Sequence, residues 1–162
     1  MTRKAFEPVS AFRETRRNLP HMQEPGSTYF ITFRTSGQLL HERARKIVLD
    51  ACLFWDGRKY ELHAAAILPD HVHLLLTPLP SLKSRGYHSL SDILHSVKGY
   101  SARRINQVVG RKGPLWLDES YDRIVRDEKE FLEKWNYIRD NIVKEGLAPS
   151  WEDYAFYYEA LP

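Results

Sequence analysis

The spacing of apolar residues along the chain changes period several times, and each change marks an element. YFITFRT (29–35) is aromatic and β-branched with turn residues on either side, which predicts a strand. From about Glu42 to Trp55, the residues Ala44, Ile47, Val48, Ala51, Cys52 and Trp55 recur at helical spacing, and Asp56-Gly57 ends the run with a turn signal. KYELHAAAIL (59–68) and the run 71–77 read as two strands joined tightly at Pro69-Asp70, an antiparallel hairpin at the centre of a sheet. After a loop rich in Pro, Ser and Gly (78–88), Leu90, Ile93, Leu94, Val97, Tyr100, Ala102 and Ile105 predict a second helix, capped by Ser89 or Ser91 and stopped by Gly110 and Gly113. SYDRIVRD (120–127) predicts a short fourth strand, and EKEFLEKWNYIRDNIVKEGL (128–147) a final helix ended at Gly146. The order βαββαβα implies an α+β fold of the ferredoxin-like or RRM-like kind, an antiparallel sheet with helices packed mainly on one face.

Within the hairpin, AILPDHVHLLLTP places His71 and His73 two residues apart on a strand. Alternation then points both rings one way and Val72 the other. Two titratable rings on one face of a buried strand cost desolvation unless they bind something, so the pair makes a two-nitrogen metal clip. An H-x-H pair also arises as a coincidence of core or surface. Asp70, one residue earlier, is expected to point away from His71. On the final helix Tyr137 and Asn141 lie one turn apart on one stripe. In isolation they are ordinary helix decoration. Together with the two histidines they outline a site of two imidazoles and an amide oxygen, with a tyrosine one turn away able to attack a phosphate.

Composition narrows the class. A chain of 162 residues fits one compact domain with terminal extensions, divided here into a basic arm (1–27), a main domain (28–147) that would hold any catalytic site, and a tail (148–162). No apolar stretch is long enough to span a bilayer and no signal-peptide pattern opens the chain, so a cytoplasmic location is expected. The single cysteine, Cys52, is expected in the core. Net charge is only +3, but between residues 83 and 112 Lys83, Arg85, Lys98, Arg103, Arg104, Arg111 and Lys112 face a single acid, Asp92. An ordinary solvated helix face looks like this, and so does a surface for a polyanion such as a nucleic-acid backbone. Arg13, Arg16 and Arg17 make the arm basic as well.

LPDHVHLLLTP, the basic helix ending SVKGYSARRIN, then GPLWLDESYDRIVRD and YIRDN, together with the early RRNLPHMQEPGSTYFITFR, resemble in order the single-tyrosine HUH transposases. The resemblance is to the REP-associated tyrosine transposase branch of the IS200-like family, and it covers almost the whole chain. Relatives often carry Pro after the Asn and Gln after the Trp, where this chain has Ile142 and Leu117. The resemblance implies the HUH nuclease fold, His71, His73 and Asn141 as metal ligands, and Tyr137 as nucleophile. It further implies cleavage and strand transfer of single-stranded DNA at a hairpin through a covalent 5′-phosphotyrosine, with Mg2+ or Mn2+ as the cofactor. The expected partner is a palindromic hairpin with an adjacent guide sequence. Lys98, Arg103, Arg104, Arg111 and Lys112 are then expected on phosphates, and Arg16, Arg17 and His21 on guide bases. Tyr29, Trp116 and Tyr121 are candidates for stacking on unpaired bases. A monomer is preferred over a homodimer. Competing readings are an HUH replication initiator or relaxase, and a regulator that binds hairpins without turnover. A zinc hydrolase leaves the tyrosine unexplained. Tyr121 is the rival nucleophile, and His63 is expected to pack or hydrogen-bond.

Overall fold

The structure is a computed structural model that describes residues 14–16, 26–83 and 85–161. Among them are six strands, β1 (Glu14–Arg16), β2 (Thr28–Thr35), β3 (Tyr60–Ile67), β4 (His71–Pro78), β5 (Trp116–Val125) and β6 (Tyr157–Glu159). Three α-helices join them, α1 (Glu42–Phe54), α2 (Leu90–Val109) and α3 (Glu128–Lys144), with a 3₁₀ turn at Trp151–Asp153. The strands form one antiparallel sheet in the order β1-β5-β2-β4-β3-β6, so β2 and β4 lie at its centre.

Each helix starts where a side chain satisfies an otherwise orphaned backbone N–H. His41 Nδ1 accepts from Ala44 N at 3.1 Å, Ser89 Oγ from Asp92 N at 3.0 Å, and Asp127 Oδ1 from Glu130 N at 2.8 Å. Helix α2 stops at Gly110, whose φ of 70° is a left-handed cap that L side chains resist.

Strand alternation sorts the core into two layers. Tyr29, Ile31 and Phe33 of β2 and Val72, Leu74 and Leu76 of β4 face α1 and α2, meeting Val48, Cys52, Ile93, Val97 and Ile105. Phe30 and Leu75 face the other way, with Ala64 and Ala66 of β3, and meet Ile138 and Ile142 of α3. The expected preponderance of helices on one face is therefore met by α1 and α2, while α3 lies across the opposite face. Under α3, β3 places the methyl groups of Ala64 and Ala66, both fully buried, and the His63 ring, which meets Phe131 edge to face at 5.2 Å.

Three features differ from the sequence reading. β5 runs from Trp116 rather than Ser120, because Leu117, Asp118 and Glu119 are exposed strand residues whose polarity reads as loop. The segment after α3, read as a tail, adds β6 to the edge of the sheet, with Ala65 opposite Tyr158. Three residues of the arm, Glu14–Arg16, pair with β5 at the other edge. Cys52 is buried, as expected.

Candidate active site

The register that pairs Thr32 with His73 and Arg34 with His71 also pairs Ala66 with His73 and Tyr121 with Thr32. His71 and His73 thus share the face covered by α3, their ring centroids 4.8 Å apart. Both rings are buried and both are tethered through Nδ1. The Asp70 carboxylate accepts from His71 Nδ1 at 2.6 Å. Asp70 had been expected to point away, but it sits in the β3–β4 turn, where strand alternation no longer governs the direction of a side chain.

Burial, the neighbouring His71 and the charge of Arg34 push the His73 pKa down to about 3, so the ring is neutral near pH 7. With the Asn141 amide turned so that its nitrogen faces the ring, the two hydrogen bonds of His73 have one consistent assignment. Asn141 Nδ2 donates to His73 Nε2 at 2.8 Å, which makes Nε2 the acceptor. Nδ1 carries the proton and donates to Thr32 Oγ1, also at 2.8 Å. Thr32 and Asp70 therefore hold the two imidazoles so that each Nε2 is the nitrogen free of the strand scaffold.

Helix α3 brings the remaining parts. Asn141 reaches His73, and one turn earlier the Tyr137 ring meets the His73 ring at 5.5 Å and the Phe30 ring at 5.8 Å, both edge to face. Phe30 also stacks on His73 at 5.5 Å. About half of Tyr137 remains exposed, so its phenol has access to a substrate. Ile142, where relatives often have Pro, is fully buried and anchors the same helix to the sheet. No group of three or more His, Cys, Asp or Glu side chains assembles among the described residues. Any metal site here would draw its third ligand from another residue type, and Asn141 is the one beside His73.

The sequence reading missed three residues on this face. Arg34 is exposed and stands opposite His71 in register, Phe30 joins His73 to Tyr137, and Lys134 Nζ lies over the Phe30 ring at 4.9 Å. Arg34 and Phe30 come from β2, and only the pairing register brings them here. Lys134 shares the stripe of Tyr137 and Asn141 and was legible as such. Tyr121, the rival nucleophile, lies on the same face and is partly exposed, 6.4 Å from Phe30, but has no amide one helical turn away.

The expected DNA-binding residues of α2 and the loop after it fall elsewhere. Helix α2 packs on the face opposite the histidines, so Lys98, Arg103 and Arg104 are not grouped with Tyr137. Lys98 Nζ donates to the Leu117 carbonyl at 2.7 Å and tethers α2 to β5. Arg111 closes the following loop through Asn106 Oδ1 at 3.0 Å and the Pro114 carbonyl at 3.3 Å. Arg103, Arg104 and Lys112 are exposed. Arg16 lies on β1, paired with Tyr121, while Arg17 and His21 lie outside the described residues. Of the three stacking candidates, Tyr29 and Trp116 are buried in the core and Tyr121 alone is exposed. His63, the extra residue at a bulge in β3, bonds Thr77 Oγ1 through Nε2 at 2.7 Å.

Residues 34–141 match the family model described as "Transposase IS200 like". The chain belongs to that family. The matched span holds His71, His73, Tyr137 and Asn141, and ends on the last of these. The IS200-like fold is also found in solved structures. One, a REP-associated tyrosine transposase bound to a REP hairpin, superposes with a TM-score of 0.68 at 21% identity, covering 86% of this chain and 80% of that one. Another, a candidate transposase from Deinococcus radiodurans R1, gives a TM-score of 0.50 at 23% identity over 76% and 95% of the two chains. No curated protein matches the sequence. Among the described residues of this IS200-like transposase, no helix is long and apolar enough to cross a membrane.

Proposed function

We propose that this transposase cleaves and rejoins single-stranded DNA at the foot of a palindromic hairpin, with Tyr137 as nucleophile and His71, His73 and Asn141 as ligands of a divalent cation. The observation that carries the reading is the junction of α3 with β4, where the Asn141 amide meets His73 Nε2 at 2.8 Å and the Tyr137 ring packs on the same imidazole. The donor set fits such an ion: both Nδ1 atoms are already bonded to Asp70 and Thr32, so the lone pairs left are on Nε2. A half-turn of the Asn141 amide would present its oxygen in place of its N–H. A divalent cation held by these residues would supply Lewis-acid charge to the scissile phosphate, a role that suits Mg2+ or Mn2+.

The chain's own residues do the rest. α3 holds Tyr137 at the edge of the ligand cluster, so that its phenol oxygen meets a phosphate bound beside His71 and His73. Attack forms the Tyr137 Oη–P bond as the P–O3′ bond breaks, leaving a 5′-phosphotyrosine and a 3′-hydroxyl. The phosphotyrosine conserves the bond, so a DNA 3′-hydroxyl can reverse the step without ATP. Exposed Arg103, Arg104 and Lys112 contribute affinity for the backbone, and Arg16, Arg17 and His21 belong with the arm that reads the guide. Likeness to the hairpin-bound relative supports a palindromic DNA partner and the REP-associated branch. A monomer is the working unit in this reading. A cytoplasmic location accompanies this reading.

The test is to incubate the protein and Tyr137→Phe with end-labelled single-stranded DNA bearing palindromic repeats, in Mn2+ or EDTA, and to resolve products on a denaturing gel. The expected result is a metal-dependent protein–DNA adduct that disappears in the variant. Hairpin binding without an adduct in either protein would point instead to a regulator without turnover. An adduct that survives in the variant would move the nucleophile to Tyr121.

A further inference from the structure

The stripe of α3 that faces the sheet reads Lys134, Tyr137, Ile138, Asn141, the spacing of one helical face. Three of these have evident work. Ile138 is buried, Asn141 bonds His73, and Tyr137 stands beside both. Lys134 does not fit a structural account as readily. It is half-buried, its ammonium lies 4.9 Å from the centre of the Phe30 ring, and that ring is the one against which Tyr137 packs.

A lysine on a helix surface ordinarily reaches water or a carboxylate. Here no hydrogen bond or ion pair joins Lys134 to any described residue. The buried carboxylate one helical turn earlier, Glu130, is committed to Arg123 Nε at 2.7 Å and to Arg126 Nε at 2.9 Å. Burial and the positive charge of Arg123 lower the Lys134 pKa, outweighing the opposing pull of Glu130 and Glu133. A partly desolvated cation beside other cations is unfavourable without an anion, and the group that would complete it is a phosphate at Tyr137.

Resting on the strand-transfer reading above, we infer that Lys134 is a further catalytic residue, its ammonium contacting the scissile phosphoryl group and offsetting the negative charge that builds there and on the Tyr137 oxygen. Lys134 keeps its proton throughout. The Tyr137 Oη–P bond forms while the P–O3′ bond breaks, the phenolic proton leaves to water, and the departing 3′ oxygen takes a proton from water. The lysine supplies charge alone, as a preorganised donor does in an oxyanion site. Its role differs from that of Arg103 and Arg104, on the opposite face of the sheet, which hold DNA without meeting the reacting atoms.

The experiment measures the single-turnover rate of adduct formation on saturating hairpin DNA for wild type, Tyr137→Phe, Lys134→Met and Lys134→Arg. Hairpin affinity and melting temperature accompany it. Met keeps the aliphatic stem over Phe30 and removes the charge, while Arg keeps the charge. Lys134→Met is expected to slow the adduct by roughly 100-fold, with melting temperature unchanged and hairpin affinity reduced far less than the rate. Lys134→Arg is expected to recover most of the rate. A Tyr137-dependent adduct forming at the wild-type rate in Lys134→Met would overturn the role of Lys134 alone, leaving it as a cover for Phe30. An adduct that persists in Tyr137→Phe would overturn the strand-transfer reading, and the inference with it.

Discussion

Asp70 and Thr32 each hold one histidine by Nδ1, and neither is a candidate ligand. Removing such a partner loosens the ring and alters which nitrogen carries the proton, which ordinarily costs roughly 10–100-fold in metal affinity. Asp70→Asn and Thr32→Val are therefore expected to raise the Mn2+ concentration at half-maximal adduct formation by about that factor, while the rate at saturating Mn2+ stays near wild type. A titration of rate against Mn2+ checks this, and an unchanged midpoint would show that the tethers do not orient the rings. At this scale the sequence was legible where chemistry follows a local period. His71 and His73 follow from strand alternation, and Tyr137 and Asn141 from one helical turn. Asp70 was misjudged because alternation fails inside a turn. Phe30 and Arg34 were out of reach because only the pairing of β2 with β4 carries them to the site.

Helix α3 carries half of that site, and it is held at both ends by carboxylates on cations. Near its start the buried Glu130 accepts from Arg123 Nε and from both Arg126 Nε and Arg126 N. Burial alone would raise the Glu130 pKa, but the hydrogen bonds from Arg126 and Arg123 outweigh it and hold the carboxyl below the ordinary glutamate value. A carboxylate with a depressed folded pKa stabilises the protein above its unfolded pKa, and that contribution is lost as pH falls through the folded value. The melting temperature is thus expected to drop as pH falls below the ordinary glutamate range. Glu130→Gln is expected to melt lower at neutral pH and to show a shallower acid decline, and thermal melts across pH check both. Toward the other end, Glu159 of β6 receives Arg139 Nη2 at 2.7 Å, Arg139 Nε at 2.8 Å and the Tyr157 hydroxyl at 2.6 Å. Glu159→Gln removes the charge from that cluster and is expected to cost roughly 2 kcal/mol of stability and to slow adduct formation more than it weakens hairpin binding. Equal losses in both would show that the clamp does not position Tyr137. The helix itself was legible from its period, but its clamp was not, since Tyr157–Glu159 is too short a run to read as a strand.

Across the whole molecule the sheet separates two tasks. Tyr137, His71, His73 and Lys134 gather on the face covered by α3, while the basic residues of α2 lie beyond the other. Charges that meet only phosphates away from the reacting bond change affinity and its salt dependence. Arg103→Gln with Arg104→Gln is expected to weaken hairpin binding, with the slope of log affinity against log salt reduced by about two, and to leave the single-turnover rate of fully bound DNA unchanged. Binding isotherms at several salt concentrations, set beside single-turnover rates, check this, and a slower rate at saturation would place those arginines at the reacting bond. The α+β class and the central hairpin were legible from the order of elements. Which face each helix covers was not, because an amphipathic stripe says that a helix is covered without saying by which side of the sheet.

Ala64 and Ala66 act as shims. They lie between β3 and α3, with Ala66 opposite His73 in register, and so contribute to the distance at which Asn141 and Tyr137 stand from the histidines. Enlarging either to Val overfills a closed space, which typically costs about 1–3 kcal/mol, and the helix can yield only by riding up and drawing its amide away from His73. Two methyl groups thereby help to set the gauge of the site, and a relative that kept every ligand and the tyrosine but thickened this layer would carry a complete set of parts held at the wrong spacing.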